Sequence, residues 1–456
     1  MVESRRQYRW REIQLLLLPS LFILIGVAQL VLVENSAQRV SLGNLPTVDS
    51  LLPALGVIGV LVATHIALCI LLPTADQVLL PIVAFLSSLG VLMAVRLGPK
   101  IPPPTGPVDE LGTKQLVWLL AGLFLCLLTV VATRKGTLWI RRYKYTFAVF
   151  GIVLVGASLV RVLTSHINFD SPTHDELKIL PGISFQPSEL LKICLVIFFA
   201  AYLSENREIL GEKGPKLGFI PVPPLKQFGP LMLMLGVGLI FFLGLRELGL
   251  ALLILGIFLS MMYMGSGRML YVGWGLGLFA AGALIGYRLF SYARDRVSIL
   301  TVDCNSHDPK VVPIIQGKAY QICQGLIAIS TGGVFGTGLG LGDPTNVPEV
   351  QTDYVFAAIS EEFGLLGVMA LLAVYIMLIH RGFHIAARAK TPFDQLLAGG
   401  LTSIFALQTM IILAGNLKMF PLTGIPLPFI TYGGSSLIAN FIIVGLLLRI
   451  SATESN

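Results

Sequence analysis

The chain has 456 residues, 55% of them hydrophobic and only 12% charged, with a mean hydropathy of +0.82. Soluble domains carry roughly 25% charged residues, so this composition excludes a soluble globular protein and points to one polytopic membrane domain. The formal charge of +7 is no nucleic-acid signature here, because excess Lys and Arg in a membrane protein gathers in cytoplasmic loops.

Apolar runs of about 18–23 residues, long enough to cross a bilayer, occur at about 13–33, 50–72, 78–97, 114–133, 144–164, 187–204, 229–246, 248–266, 268–290, 364–381, 395–415 and 432–450. The first is too long for a signal-peptide core and lacks a cleavage site, so it reads as a retained span. Arg5, Arg6, Arg9 and Arg11 precede it, and "TRKGTLWIRRYKYT", "ENREILGEKGPKLG" and "HRGFHIAARAK" put more basic charge on the same side. The N-terminus is therefore expected in the cytoplasm, and an even number of spans returns the C-terminus there. The predicted fold class is an all-α polytopic membrane protein. Three segments face the other side: 165–186, about 291–363, and 416–436. Long loops in a compact domain are usually functional, so the active face is expected outside. Cys69, Cys126 and Cys194 fall in apolar runs and read as small core residues.

In chain order, the first chemical constellation is "FQPSELLKI". Pro187 suits the first turn of a helix. Glu189 and Lys192 share a face three residues apart, either as a structural ion pair inside the bundle or as the lining of a polar cavity. Next, Arg246 and Glu247 interrupt an apolar stretch. They form either a tight turn in the headgroup layer or a broken-helix region at a binding cavity. Cys304 and Cys323 lie in one extracytoplasmic loop, as a disulfide in an oxidising compartment or as two buried thiols. "GGVFGTGLGLG" at 332–342 lacks the strand and helix of a dinucleotide fold. Tight loop geometry accounts for it, with a backbone-amide cradle for pyrophosphate as the alternative.

The richest stretch is "VPEVQTDYVFAAISEEFG" at 347–364, with Glu349, Asp353, Glu361 and Glu362 ahead of an apolar run. Glu361 and Glu362 read as acids placed at a helix start, where the dipole favours them. Asp353 sits beside an apolar sequence at the membrane surface, where desolvation raises a carboxyl pKa and improves it as a base. Glu349 is four residues earlier. Finally, Pro421, Pro426 and Pro428 in "PLTGIPLPFITYGGSS" forbid a regular helix, so this segment lines a cavity or is buried in protein.

Together "FQPSELLK", "ELGLALL", "GKAYQICQGLIAISTGGVFGTGLGLG", "VPEVQTDYVFAAISEEFGLLG" and "PLTGIPLPFITYGGSS" resemble the SEDS family (shape, elongation, division and sporulation), the RodA- and FtsW-type peptidoglycan polymerases. The resemblance implies about ten core spans at 78–450, including the large loop at about 291–363. Residues 1–77 then hold a tail and two additional spans, and 451–456 a cytoplasmic tail. The two added spans favour the RodA-like group. Two departures stand out. A Gly-Ala-x-Arg-Trp element of the family is replaced by "PTHDELKIL", and its Pro-Asp-Leu-Gly reads Arg246-Glu247-Leu248-Gly249.

The resemblance further implies a reaction. The acceptor's GlcNAc 4-hydroxyl would attack MurNAc C1 of a donor lipid II, with inversion and loss of undecaprenyl pyrophosphate. Such a transfer needs one base and cations for the leaving group. By match to the family's Thr-Asp-aromatic motif, Asp353 is the expected catalytic residue and Glu349 its helper. Arg246, Arg296, Lys192, Lys318 and Lys418 are the expected pyrophosphate contacts, with Glu189 and Glu247 supporting. Mg²⁺ or Mn²⁺, held by Asp353 or Glu349, is expected as the only cofactor, with no organic one. Expected partners are lipid II, membrane lipids, a class B penicillin-binding protein and other elongation or division proteins, with no nucleic acid. The expected location is the bacterial plasma membrane. A lipid II flippase and a non-catalytic scaffold of the cell-wall machinery are the competing readings.

Overall fold

The structure is a computed structural model that describes residues 9–35, 46–48, 50–98, 111–164, 177–180, 183–207, 216–217, 220–221, 225–244, 247–289 and 291–452. Its membrane helices are α1 (Trp10–Asn35), α2 (Leu52–Leu71), α3 (Leu79–Leu97), α4 (Leu111–Ala132), α6 (Lys144–Thr164), α7 (Pro187–Glu205), α8 (Leu225–Gly244), α9 (Leu248–Ser266), α10 (Met269–Leu289), α14 (Val355–Arg388), α15 (Pro392–Asn416) and α16 (Gly434–Ala452). Among the described residues, eleven of these are long and apolar enough to cross a bilayer, and α8 contributes a shorter described apolar stretch, Gly229–Leu239. Each expected span therefore coincides with a helix. Shorter helices are α5 (Leu138–Arg142), α11 (Ser291–Ile299), α12 (Val312–Gln316) and α13 (Tyr320–Gly332). The all-helical expectation needs one small amendment: strands Leu177–Leu180 and Ile183–Phe185 pair antiparallel, as do Lys216–Leu217 and Ile220–Pro221.

Local chemistry starts and stops these helices. Pro187 and Pro392 occupy first-turn positions of α7 and α15, where a missing N–H costs nothing. Thr391 Oγ1 accepts from the Asp394 amide at 3.1 Å and caps α15. Helices α3, α7, α15 and α16 are buried along most of their length, whereas α10 is almost wholly exposed. The central pairs are α4 with α16, α6 with α7, α14 with α15 and α1 with α3. Exposed leucines such as Leu17, Leu18 and Leu21 on α1 face outward, as a lipid-facing surface requires.

One helix is broken. Gly364, inside α14, has φ 66° and ψ −170°, which frees backbone groups on both sides of the break. The glycine loop after α13 fills that gap. The amides of Thr337 and Gly338 donate to the carbonyls of Glu361 and Glu362 at 2.9 and 3.0 Å, and Leu365 and Leu366 donate to Gly333 and Val334 at 3.0 and 3.1 Å. The approach is backbone against backbone: a Cβ on Gly336 would stand 2.2 Å from the Glu362 carbonyl oxygen. The glycines here thus serve close packing and positive φ, the loop geometry expected of them.

This arrangement overturns the reading of Glu361 and Glu362 as helix-start acids. The helix begins at Val355, and the two glutamates end its first segment, buried. Arg96 Nε of α3 donates to Glu362 Oε1 at 2.7 Å, and its Nη2 to the Gly342 carbonyl at 2.7 Å. Glu361 Oε1 accepts from the Asp343 amide at 2.8 Å. An apolar run marks where the bilayer begins, not where a helix begins, and here the two differ by most of three turns.

Candidate active site

The segment 347–354 leads into α14 and hangs between two other irregular stretches. Glu349 adopts φ 52°, and its carbonyl accepts from the amides of Thr352 and Asp353 at 3.1 and 3.0 Å, closing a tight turn. The Asp353 carbonyl accepts from Asn416 Nδ2, at the end of α15, at 2.9 Å. The Tyr432 amide donates to the Gln351 carbonyl at 3.0 Å, which ties this turn to the proline-rich segment. Within that segment, Thr431 Oγ1 accepts from the Leu427 amide at 2.8 Å, and Tyr375 donates to the Pro428 carbonyl at 2.6 Å. Gly249 of α9 admits the same segment: a Cβ there would lie 2.5 Å from Thr423 Cβ. The Gln186 amide donates to Ser435 Oγ at 2.9 Å, so the start of α7 meets the start of α16. From the far wall, Arg296 of α11 donates to the Leu422 carbonyl at 2.9 Å. A disulfide joins Cys304 to Cys323, with Cα atoms 5.5 Å apart, and fastens the loop between α11 and α13.

These stretches enclose a polar cavity of about 530 Å³, lined by Asp353, Glu349, Glu247, Arg296 and Lys318 among others. Asp353 is half-buried. Its carboxyl is pushed up to about 6, first by burial and then by the charge of Glu349, against the opposing pull of Arg296 and a Thr352 hydrogen bond. Asp353, Glu349 and Glu247 line one space, but among the described residues no three His, Cys, Asp or Glu side chains are grouped closely enough to hold a metal ion by themselves. A second cavity, about 670 Å³ and almost wholly apolar, adjoins the first between α8, α9 and α10, and Arg296, Leu422 and Thr423 line both.

Five expected residues therefore meet: Asp353, Glu349, Glu247, Arg296 and Lys318. Lys318 also pairs with Asp295 at 2.9 Å. Three do not line this cavity. Glu189 and Lys192 form a 2.7 Å ion pair buried inside the bundle, the structural alternative of the two readings. Lys418 donates to the Val302 carbonyl, a loop brace. Arg246 lies outside the described residues. Sequence reasoning passed over Asn416, which holds the Asp353 backbone, and Arg96, although an arginine at the end of an apolar span is itself a signal.

A family profile described as a cell cycle protein and covering FtsW, RodA and SpoVE matches residues 76–456. The chain belongs to this FtsW/RodA/SpoVE family. Among its relatives, the peptidoglycan glycosyltransferase RodA of Mycobacterium tuberculosis is 36% identical over 391 residues, covering 85% of this chain and 80% of the relative. A probable peptidoglycan glycosyltransferase FtsW of Geobacter is 33% identical over 276 residues, covering 60% of this chain and 70% of the relative. A solved peptidoglycan synthase complex, described as coordinating polymerization and crosslinking, contains a chain similar at TM-score 0.62 and 25% identity, with 83% of this chain and 98% of that one covered. The RodA of Thermus thermophilus has the same fold, with TM-score 0.57 at 24% identity, covering 84% and 98%. The higher identity and longer coverage of the RodA relative place this family member on the RodA-like side.

Proposed function

We propose that the protein is a peptidoglycan glycosyltransferase that polymerises lipid II at the Asp353 cavity. The observation that carries this reading is a carboxyl raised to about 6 in a polar cavity that also holds Arg296 and Lys318 and opens beside an apolar one. That pairing suits a substrate with a sugar-pyrophosphate head and a polyprenyl tail.

Asp353, ionised, accepts the proton of the acceptor's GlcNAc 4-hydroxyl as the oxygen attacks MurNAc C1 of the donor. The C1–O bond to pyrophosphate breaks on the opposite face, its electron pair leaves with undecaprenyl pyrophosphate, and the anomeric centre inverts. Arg296 and Lys318 offset the charge gathering on the leaving group. A divalent cation held by Asp353 or Glu349, with the substrate's phosphates supplying most of its coordination, would add charge stabilisation there. Glu349 keeps Asp353 basic through like-charge repulsion. The apolar cavity between α8 and α10 receives the first isoprenes of the lipid.

The Asp353 face is the extracytoplasmic one in this reading. The Cys304–Cys323 disulfide on that side supports it, as does the basic N-terminus at the other. Residues Trp10 and Ser451 border one cavity, so the first and last helices share an end of the bundle, as two cytoplasmic termini require. A class B penicillin-binding protein is the transpeptidase partner that this activity calls for.

The decisive experiment compares wild type and Asp353→Asn in lipid II polymerisation by purified protein. Loss of glycan product, with an unchanged thermal transition, is the expected result. Undiminished product from Asp353→Asn would remove Asp353 from the chemistry. A lipid II flipping assay on the same two samples separates polymerase from flippase, since the variant should be wanting only in the first.

A further inference from the structure

The opposite end of the bundle holds another polar cavity, of about 520 Å³, between the start of α1, the turn joining α2 to α3, the end of α14 and Ser451 of α16. Helix α14 starts two residues past Asp353 and runs 34 residues to Arg388. Beyond the break at Gly364 it continues as helix to Arg388, about 36 Å at 1.5 Å per residue, enough to cross the hydrocarbon core. The two polar cavities therefore open on opposite membrane faces.

Arg11, Arg381 and Arg388 line this cavity against one carboxylate, Asp76. Asp76 is already engaged. It pairs with Arg381, and its Oδ1 accepts from the amides of Val78 and Leu79 at 2.8 and 2.9 Å. Arg11 and Arg388 are exposed and make no ion pair with a described residue. Among the described residues the cavity thus presents net positive charge, with two guanidinium forks that none of them engages, and such forks take phosphate oxygens in pairs. Its rim also carries Trp10, 65% exposed, and α1 continues from there with exposed Leu17, Leu18 and Leu21. An interfacial tryptophan and arginines at the foot of a lipid-facing stripe mark the headgroup level of a leaflet. A phosphate seated at the arginines would have its acyl chains beside that stripe.

We propose that this cavity binds the phosphate headgroup of an anionic phospholipid, at the seam where α1 joins the core. The seam itself depends on Arg9, which donates to the carbonyls of Leu72, Ala75 and Asp76 at 2.8, 3.1 and 2.8 Å. A lipid bound here bridges Arg11 of α1 and Arg388 of α14, so occupancy stabilises the attachment of the first helix.

The test is native mass spectrometry and thermal unfolding of the full chain in neutral detergent, titrated with phosphatidylglycerol, phosphatidylcholine or inorganic phosphate. Wild type is expected to retain phosphatidylglycerol about tenfold more tightly than phosphatidylcholine and to melt higher with it. The double variant Arg11→Gln/Arg388→Gln should lose that preference while melting like the wild type without lipid. If that variant melts lower, Arg11→Lys/Arg388→Lys, which keeps the charge without the fork, should still prefer phosphatidylglycerol over phosphatidylcholine, by less than wild type. Equal retention of the two lipids by wild type, or a preference untouched in the Gln variant, overturns the proposal. Phosphate binding that depends on the two arginines, with no lipid preference, would keep an anion site and overturn the lipid as its source.

Discussion

Asp353 is held by its backbone and tuned by its neighbours, and both are testable at single residues. Burial and the charge of Glu349 push its carboxyl up to about 6, and the base form is the ionised one. Polymerisation should therefore rise with pH through about 6 and level off above it, a profile read from initial rates across buffers. The same shift has a stability consequence of opposite sense. A carboxyl whose pKa is raised on folding binds more protons in the folded state between its ordinary value of 3.8 and about 6. Stability from this group is thus full below that window and is lost as pH rises through it. Asp353→Asn should melt at or above wild type at neutral pH while making no glycan. Asn416 is buried and donates to the Asp353 carbonyl. Asn416→Ala should cost about 1–3 kcal/mol in unfolding free energy and reduce kcat by about tenfold or more, with a smaller effect on KM, because the base is displaced rather than removed. In the sequence, the apolar flank leaves Asp353 one of four acids in its segment, and the resemblance of the Thr-Asp-Tyr triplet to the family motif is what singles it out. Lys418 and Lys192 carry the same charge as Arg296 and Lys318, and only tertiary placement separates loop brace and buried pair from cavity lining.

Among the elements, the broken helix α14 and the glycine loop that completes it form the least replaceable unit. Gly336 has φ 83° and no room for a methyl group beside the Glu362 carbonyl. Gly336→Ala should destabilise the protein by roughly 2 kcal/mol or more, seen as a lowered thermal transition, and should reduce activity, because the first segment of α14 carries the Asp353 turn. The spans were readable from hydropathy because lipid permits few alternatives to an apolar helix. The break was not. Glycine at 364 is one of 47 glycines, and nothing local distinguishes it from those that only permit close helix packing. The partner that satisfies its backbone lies some thirty residues earlier in the chain.

At the scale of the whole molecule, two polar cavities at opposite ends and one disulfide organise the bundle. The Cys304–Cys323 bridge closes a loop with a sequence separation of 19, and a loop of that length is worth about 3 kcal/mol by restraint of the unfolded chain. Reducing agent should lower the thermal transition of wild type and leave that of a Cys304→Ser/Cys323→Ser variant unmoved. Activity should fall in parallel, since Lys318 lies within the bridged loop and Arg296 just before it. In the sequence, charge asymmetry and an even span count are the grounds for expecting both termini on one side. The arginine cavity draws on α1, the α2–α3 turn, α14 and α16, and no single motif announces it.

The backbone bonds across the break at Gly364 also provide a dynamic reporter. Leu365 and Leu366 lie in a membrane helix, yet their amides are held by Gly333 and Val334 of the preceding loop. Their hydrogen exchange is governed by opening of that loop, not by fraying of the helix. Peptides covering 333–338 and 365–366 should exchange deuterium in step, and faster than the interior of α14 beyond Leu371. A ligand that slows both peptides together would therefore report ordering of the glycine loop against the break, next to the segment of α14 that follows Asp353.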